Sequence, residues 1–178
     1  MYNRTSPMKK LINPLLFIAL AVILRLVPHM PNVAPIAAMA LFGGVYLNKK
    51  YALIVPLVAM FLSDIFLGFH NVMPFVYGSF LVSGLLGLLV RNHKSFINIT
   101  GVTLLSSVIF FTVTNFGVWV MGNMYPHTLS GLMTCYAMGV PFFRNTLVGD
   151  LFYAGVLFGS YELVLHLVKG QAIAKVSK

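Results

Sequence analysis

Six long apolar runs constrain this chain more than anything else in it. They fall at about residues 11–27, 33–47, 51–69, 72–90, 97–121 and 145–168. A helix that crosses a bilayer needs about 20 mainly apolar residues, with a range of roughly 17–25. Five runs meet that length and the second falls just short. Pro35 and Pro74 sit in first turns, where the missing N–H has no helical partner anyway. No run alternates with a period of two, and no hairpin turns separate them, so a β-barrel does not compete. The predicted fold class is all-α: a polytopic membrane protein with six transmembrane helices, one integral membrane domain over 1–178. Residues 122–143 interrupt the pattern with Pro126, Gly131, Gly139 and Pro141. They predict a long loop with a short interfacial or re-entrant helix near 129–138, or alternatively a seventh, very short span.

Composition agrees. Charged residues make up 8% of the chain, hydrophobic residues 59%, and the mean hydropathy is +0.91. A soluble domain carries roughly 25% charged residues. These values exclude an ordinary soluble globule and a disordered chain. The pI of 9.9 does not make a nucleic-acid binder, because the basic residues lack a folded exposed face to occupy. A lipid bilayer is the expected partner and nucleic acid is not. The single cysteine, Cys135, excludes an intramolecular disulfide and a Cys-based zinc site. The N-terminal basic-then-apolar pattern resembles a signal peptide. Arg25 follows it without a small-x-small cleavage site, so an uncleaved first helix is expected.

The positive residues give the orientation. Arg4, Lys9 and Lys10 lie in the N-terminal tail. Lys49 and Lys50 lie in the second connection, Arg91 and Lys94 in the fourth, and Lys169, Lys175 and Lys178 in the C-terminal tail. The connections 28–32 and 68–71 carry none. Both termini are therefore expected on the cytoplasmic side of a bacterial inner membrane, with a basic rim that attracts anionic headgroups.

The opposite side gathers His29, Met30, Asn32, His70, Asn71, Asn123, Tyr125, His127 and Cys135, with Trp119 near the end of the fifth helix. An interfacial belt accounts for Trp119 and Tyr125. Three histidines on three loops also suit closure over a ligand, although no local spacing marks a metal site. Arg25, Asp64, Arg144 and Asp150 all fall in the outer half of the membrane. A charge there is costly, so it is paired or functional. Two ion pairs, Arg25–Asp64 and Arg144–Asp150, would lock the helices. Alternatively, some of these groups line a polar cavity, where arginine forks bind carboxylate or phosphate. Thr112, Asn115 and Trp119 share one face of the fifth helix, and Asn145 opens the sixth.

Small residues mark close helix contacts or a partner-docking face: Ala34 and Ala38, Ala40 and Gly44, Ser79, Ser83 and Gly87, and Gly155 with Gly159. Glu162 and His166 are four apart near the cytoplasmic end. No serine-hydrolase elbow, zinc-protease motif, P-loop or dinucleotide fingerprint occurs, and three acids leave little for carboxylate catalysis, so no enzyme is expected.

Three stretches resemble an uncharacterised bacterial membrane family: Arg25 through Gly44 (RLVPHMPNVAPIAAMALFGG), Leu62 through Gly68 (LSDIFLG), and Pro141 through Asp150 (PFFRNTLVGD). That family is similar to the substrate-binding S components of energy-coupling factor transporters. The resemblance covers about residues 25–168. It implies a vitamin-like small molecule bound on the outer side, with a coupling membrane protein and ATPases supplying energy. A cobalamin-type ligand would take a metal contact from a side chain such as His70, with His29, His127 or Cys135 as alternatives; no other cofactor is implied. S components carry a small-x-x-x-small docking face on the first helix, whereas here Ala34 and Ala38 lie on the second. Two other readings remain: a structural or regulatory membrane subunit without ligand, and a small proton-coupled carrier. The carrier requires a polar path from Asp150 to Glu162 and His166.

Overall fold

The computed structural model describes residues 14–27, 33 and 35–176, with side chains described for 15–27, 33 and 35–167. Every element among them is an α-helix: α1 (Pro14–Leu26), α2 (Ile36–Tyr46), α3 (Lys49–Ala52), α4 (Ile54–Leu67), α5 (Met73–Val90), α6 (Phe96–Met121) and α7 (Leu129–Val176). Four segments are long and apolar enough to cross a membrane: Lys49–Leu67, which joins α3 and α4, Met73–Val90, Phe96–Met121 and Leu129–Leu167. The six expected spans thus become these four and two shorter apolar helices, Leu15–Leu26 and Ile36–Tyr46. Part of the first expected span, and of the turn after it, lies outside the described residues.

Local chemistry sets the boundaries. Pro35 caps α2 at its start, and Leu47 leaves the helix in an extended conformation. Asn48 then accepts a hydrogen bond from the Lys50 amide (3.2 Å) and caps α3. Pro56 cannot donate to the Ala52 carbonyl, which is why the helix restarts at Ile54. Gly68 ends α4 with φ 94°, a left-handed conformation suited to glycine, and its N–H bonds the Asp64 carbonyl at 2.8 Å. Ser95 caps α6 by accepting from the Asn98 amide (3.1 Å).

The largest departure is α7. The expected loop shortens to residues 122–128, and the expected short helix near 129–138 does not stand apart from the sixth span at 145–168. One helix of 48 residues runs through Gly139 and Pro141, about 72 Å at 1.5 Å per residue. Pro141 removes one N–H, the partner of the Ala137 carbonyl. In an apolar surrounding a loop would strand several such groups, so a continuous helix with one missing rung is favoured.

The core is built around α2. With 11 residues it is about 16 Å long, half a bilayer. Every residue from Ile36 to Val45 is buried, enclosed by α1, α4, α5, α6 and α7. The α2–α5 contact is backbone on backbone. A Cβ at Gly44 would overlap the Gly84 carbonyl oxygen and the Gly87 backbone. Gly84 and Gly87 face this seam, while the buried Ser83 hydroxyl meets Ser106 on α6 at 2.5 Å. An aromatic layer closes the end of the bundle near Lys49 and Lys50, here called the basic end. Phe42 stacks on Phe17 (5.5 Å) and meets Phe158 (5.1 Å) and Tyr161 (5.4 Å) edge-on. Lys94 Nζ sits 4.6 Å above the Tyr46 ring, and Arg91 Nε donates to the Val45 carbonyl (2.9 Å). Large apolar side chains such as Phe66, Leu89, Ile97 and Phe152 point outward and are more than half exposed. A molecule apolar inside and out suits lipid, where water does not drive helix association and packing does.

Candidate functional site

The end of the bundle opposite the basic one, here the loop end, carries the polar residues singled out in the sequence. They separate into three groups.

The first is a lock. Arg25 Nη1 donates to Asp64 Oδ1 (2.5 Å), Ser63 Oγ (2.5 Å) and the Met60 carbonyl (3.2 Å). Tyr77 Oη donates to Asp64 Oδ2 (2.7 Å). Both carboxylate oxygens are occupied and the Asp64 side chain is 2% exposed. This cluster ties α1, α4 and α5 together, as the ion-pair reading of Arg25 and Asp64 expected.

The second group corrects the sequence reading. Arg144 and Asp150 do not pair. Six positions on a helix turn a side chain by about 240° at 100° per residue, so the two point to different sides. Asp150 is buried (4% exposed) and accepts from the Ser107 hydroxyl (2.7 Å). Arg144 lies exposed on the outer face of α7. Val33 packs against Gly149 beside Asp150.

The third group forms a cavity of about 450 Å³ between the start of α5, the second half of α6 and the first part of α7. Val76 supplies the α5 wall, with Val72 at the N-cap of that helix and His70 in the turn before it. Phe110, Phe111, Thr114, Asn115 and Val118 supply the α6 wall. Cys135, Met138, Gly139, Phe142 and Thr146 supply the α7 wall, and Met124 and Tyr125 cover it from the loop. Gly139 lets α7 approach α6, since a Cβ there would lie 2.5 Å from Asn115 Oδ1. Cys135 Sγ donates to the Asn115 carbonyl (3.4 Å), and Tyr136 Oη to the Thr112 carbonyl (2.8 Å).

The loop over the cavity is braced from within. Trp119 Nε1 donates to the Pro126 carbonyl (2.9 Å), and His127 Nε2 lies 3.1 Å from the Gly122 carbonyl. Their rings meet edge-on at 5.6 Å. The Gly131 amide donates to Thr128 Oγ1 (3.2 Å), which caps α7. The polar atoms of Trp119 and His127 hold the loop, and neither residue lines the cavity.

Of the residues expected to bind a ligand, the structure therefore brings His70 and Asn115 to one cavity, together with Tyr125 and Cys135. Asn71 is exposed beside His70 without lining the space, and Asn145 is half-buried next to Thr146, which does line it. Arg25, Asp64, Arg144 and Asp150 stand outside the wall. His29, Met30, Asn32 and Ala34 lie outside the described residues. Ala38 is buried inside α2. Gly155 and Gly159 face outward, with nothing within 4 Å of an added Cβ. The aromatic and threonine lining was missed, although Phe110, Phe111, Thr114 and Asn115 show the one-turn spacing that places a polar pair beside an aromatic pair.

No group of three or more potential ligands among His, Cys, Asp and Glu is gathered for a metal ion among the described residues. On the buried face of α7, Ala154 and Phe158 separate Asp150 from the basic end, where Tyr46 Oη donates to Glu162. A continuous polar path of the kind a proton-coupled carrier needs is absent along that face.

No curated protein and no solved structure matches the chain. A family of unknown function, DUF6580, matches residues 5–173, nearly the whole length, and the chain belongs to that family.

Proposed function

We propose that this chain is a membrane-embedded substrate-binding subunit for uptake of a small molecule, with its cavity open toward the outside and its basic end in the cytoplasm. The observation that carries the reading is the cavity between α5, α6 and α7. Its volume of about 450 Å³ falls within the roughly 300–1,000 Å³ of small-molecule sites. Its wall is mainly aromatic and aliphatic with a few convergent polar groups, the usual composition of such sites. The braced loop supplies a cover that need not be remade for each binding event. The size favours a vitamin-like molecule of one or two rings over a complete cobalamin. A His70 contact to cobalt would then apply only to a ligand held at the mouth. Energy for uptake would come from a separate coupling membrane protein with ATPases, as in the transporters that the sequence resembles. No catalysis is assigned to the chain.

The test is calorimetric titration of a vitamin panel into detergent-purified protein, alongside native mass spectrometry for a co-purified ligand. Thr114→Phe fills the cavity from the α6 wall without adding charge. Binding to the natural protein that is lost in Thr114→Phe supports the reading. Equal binding to both forms overturns it.

A structural or regulatory role has one observation in its favour. Arg144, Gly155 and Gly159 are all exposed on α7, a face suited to another membrane helix. Stable co-purification that is lost in Gly159→Leu, with no ligand binding, would select that role.

A further inference from the structure

The chemistry of the cavity wall narrows its occupant, on the reading that this cavity binds the substrate. We infer that the ligand is an uncharged, flat aromatic molecule whose innermost edge carries N–H donors, such as an amino- or amide-substituted ring system.

Charge is the first discriminator. No lysine, arginine, aspartate or glutamate lines the cavity. Arg25 is committed to Asp64, and Arg144 faces away from the wall. An anionic ligand would have to leave water for an apolar site without a counter-ion, which is strongly unfavourable. The same argument applies to a cation, because Asp64 and Asp150 are likewise outside the lining.

Shape is the second. Phe110, Phe111 and Phe142 present rings to the cavity. Phe111 is held in place by Phe143 (4.6 Å) and Tyr136 (5.7 Å). Met124 and Met138 add thioethers, which pack well against aromatic rings. Rings and thioethers of this kind favour a planar π-system by offset or edge-on contact.

Hydrogen bonding is the third, and it sets the direction. The inner hydroxyls and thiol have each used their single proton, and Asn115 has used one of its two amide protons. Thr114 Oγ1 donates to the Phe110 carbonyl (2.7 Å), Thr146 Oγ1 to the Phe142 carbonyl (3.1 Å), and Asn115 Nδ2 to the Phe111 carbonyl (2.8 Å). Cys135 donates to the Asn115 carbonyl. What they still offer is mostly acceptor capacity, Asn115 Oδ1 and the lone pairs of two threonines, against one remaining Asn115 N–H. Donors remain at the mouth, on the His70 ring and the Tyr125 hydroxyl, which make no hydrogen bond among the described residues. The ligand is therefore selected for donors at its inner edge and for acceptors, if any, at its outer edge.

Three probes with the same rings test this: 2-naphthamide, methyl 2-naphthoate and 2-naphthoate, titrated calorimetrically into detergent-solubilised full-length protein at pH 7. The amide carries N–H donors, the ester has none, and the acid is ionised at this pH. The expected order is amide tightest, with the ester and the anion each weaker by about tenfold or more. In Asn115→Leu the amide should weaken by about tenfold, and in Thr114→Phe it should not bind. The comparison of probes on the natural protein stands even where a variant fails to fold. Binding of 2-naphthoate as tight as the amide, lost in Thr114→Phe, overturns the inferred ligand class and leaves the binding role intact. Binding of the ester as tight as the amide overturns the donor requirement, and with it this inference. No binding of any probe overturns this inference while the vitamin panel still decides the role it rests on; binding unchanged in Thr114→Phe overturns both.

Discussion

The basic end of the bundle is solid and the loop end is hollow, although both are built from the same residue types. Aromatic rings and a close-packed glycine occur at each, Phe42 and Gly44 at one end and Phe111 and Gly139 at the other. The difference lies in α2. This short helix fills the axis of the bundle where Phe42, Val45 and Gly44 pack against α1, α5 and α7. Val33, just before the helix, packs against Gly149 on α7. One turn farther along α7 stands Thr146, the first residue of the cavity wall. The cavity begins where the central helix has ended. A half-length helix thus does two things: it gives the bundle a core, and by stopping it leaves room for a ligand.

Paired substitutions probe that contrast, and the largest expected effect lies on the α2–α5 seam. Gly44→Val places side-chain atoms where the Gly84 carbonyl and Gly87 backbone already stand. Backbone cannot yield as a flexible side chain does, so a loss of about 5 kcal/mol or more, or failure to fold, is expected. Gly159→Val meets nothing within 4 Å and should leave thermal unfolding in detergent unchanged. Equal damage from both would mean that the seam is not the core of the molecule. The next pair is aromatic. Phe42 is 4% exposed and touches four other rings, so Phe42→Ala should cost about 3 kcal/mol. That is the low end of the usual range, because lipid and not water is the alternative surrounding. Phe142 lines the cavity and is half exposed, and Phe142→Ala should cost under about 1 kcal/mol. A large loss there would show the loop end to be packed after all.

Much of this organisation is legible in the sequence wherever breakers and charges are unambiguous. The runs at 72–90 and 97–121 become α5 and α6 within one residue, because Pro74 and Ser95 mark their starts and nothing interrupts them. The pairing of Arg25 with Asp64 follows from the cost of a lone charge in an apolar helix. α7 is not legible, because Gly131, Gly139 and Pro141 read as loop signals under rules learned in water. There a freed carbonyl finds a solvent partner; inside a membrane segment it does not, and the helix continues. Within the site, His70 and Asn115 stand out as polar residues near the loop end. Trp119 and His127 stand out for the same reason, yet their polar atoms brace the loop. Composition cannot tell a group that is free to bind from one already engaged, since that depends on carbonyls whose positions only the fold supplies.

The pair with the smallest expected difference is that of the two buried aspartates, and here the contrast is electrostatic. Asp64→Asn keeps the shape but leaves Arg25 without its counter-ion. Breaking a buried pair costs about 3–5 kcal/mol. Arg25 retains 15% exposure and the contact with Ser63, so about 2–3 kcal/mol is expected. Asp150→Asn retains an oxygen to accept from Ser107 and removes no cation partner among the described residues. Its stability should change by less than about 1 kcal/mol. Thermal unfolding of the two variants in one detergent gives the comparison directly. A loss at Asp150→Asn as large as at Asp64→Asn would mean that Asp150 also serves a cation. The charges would then form a network across the bundle rather than one lock beside a single buried carboxyl group. The small change expected at Asp150 instead makes the Arg25–Asp64 lock local to α1, α4 and α5, and leaves the α6–α7 side of the cavity free of charge.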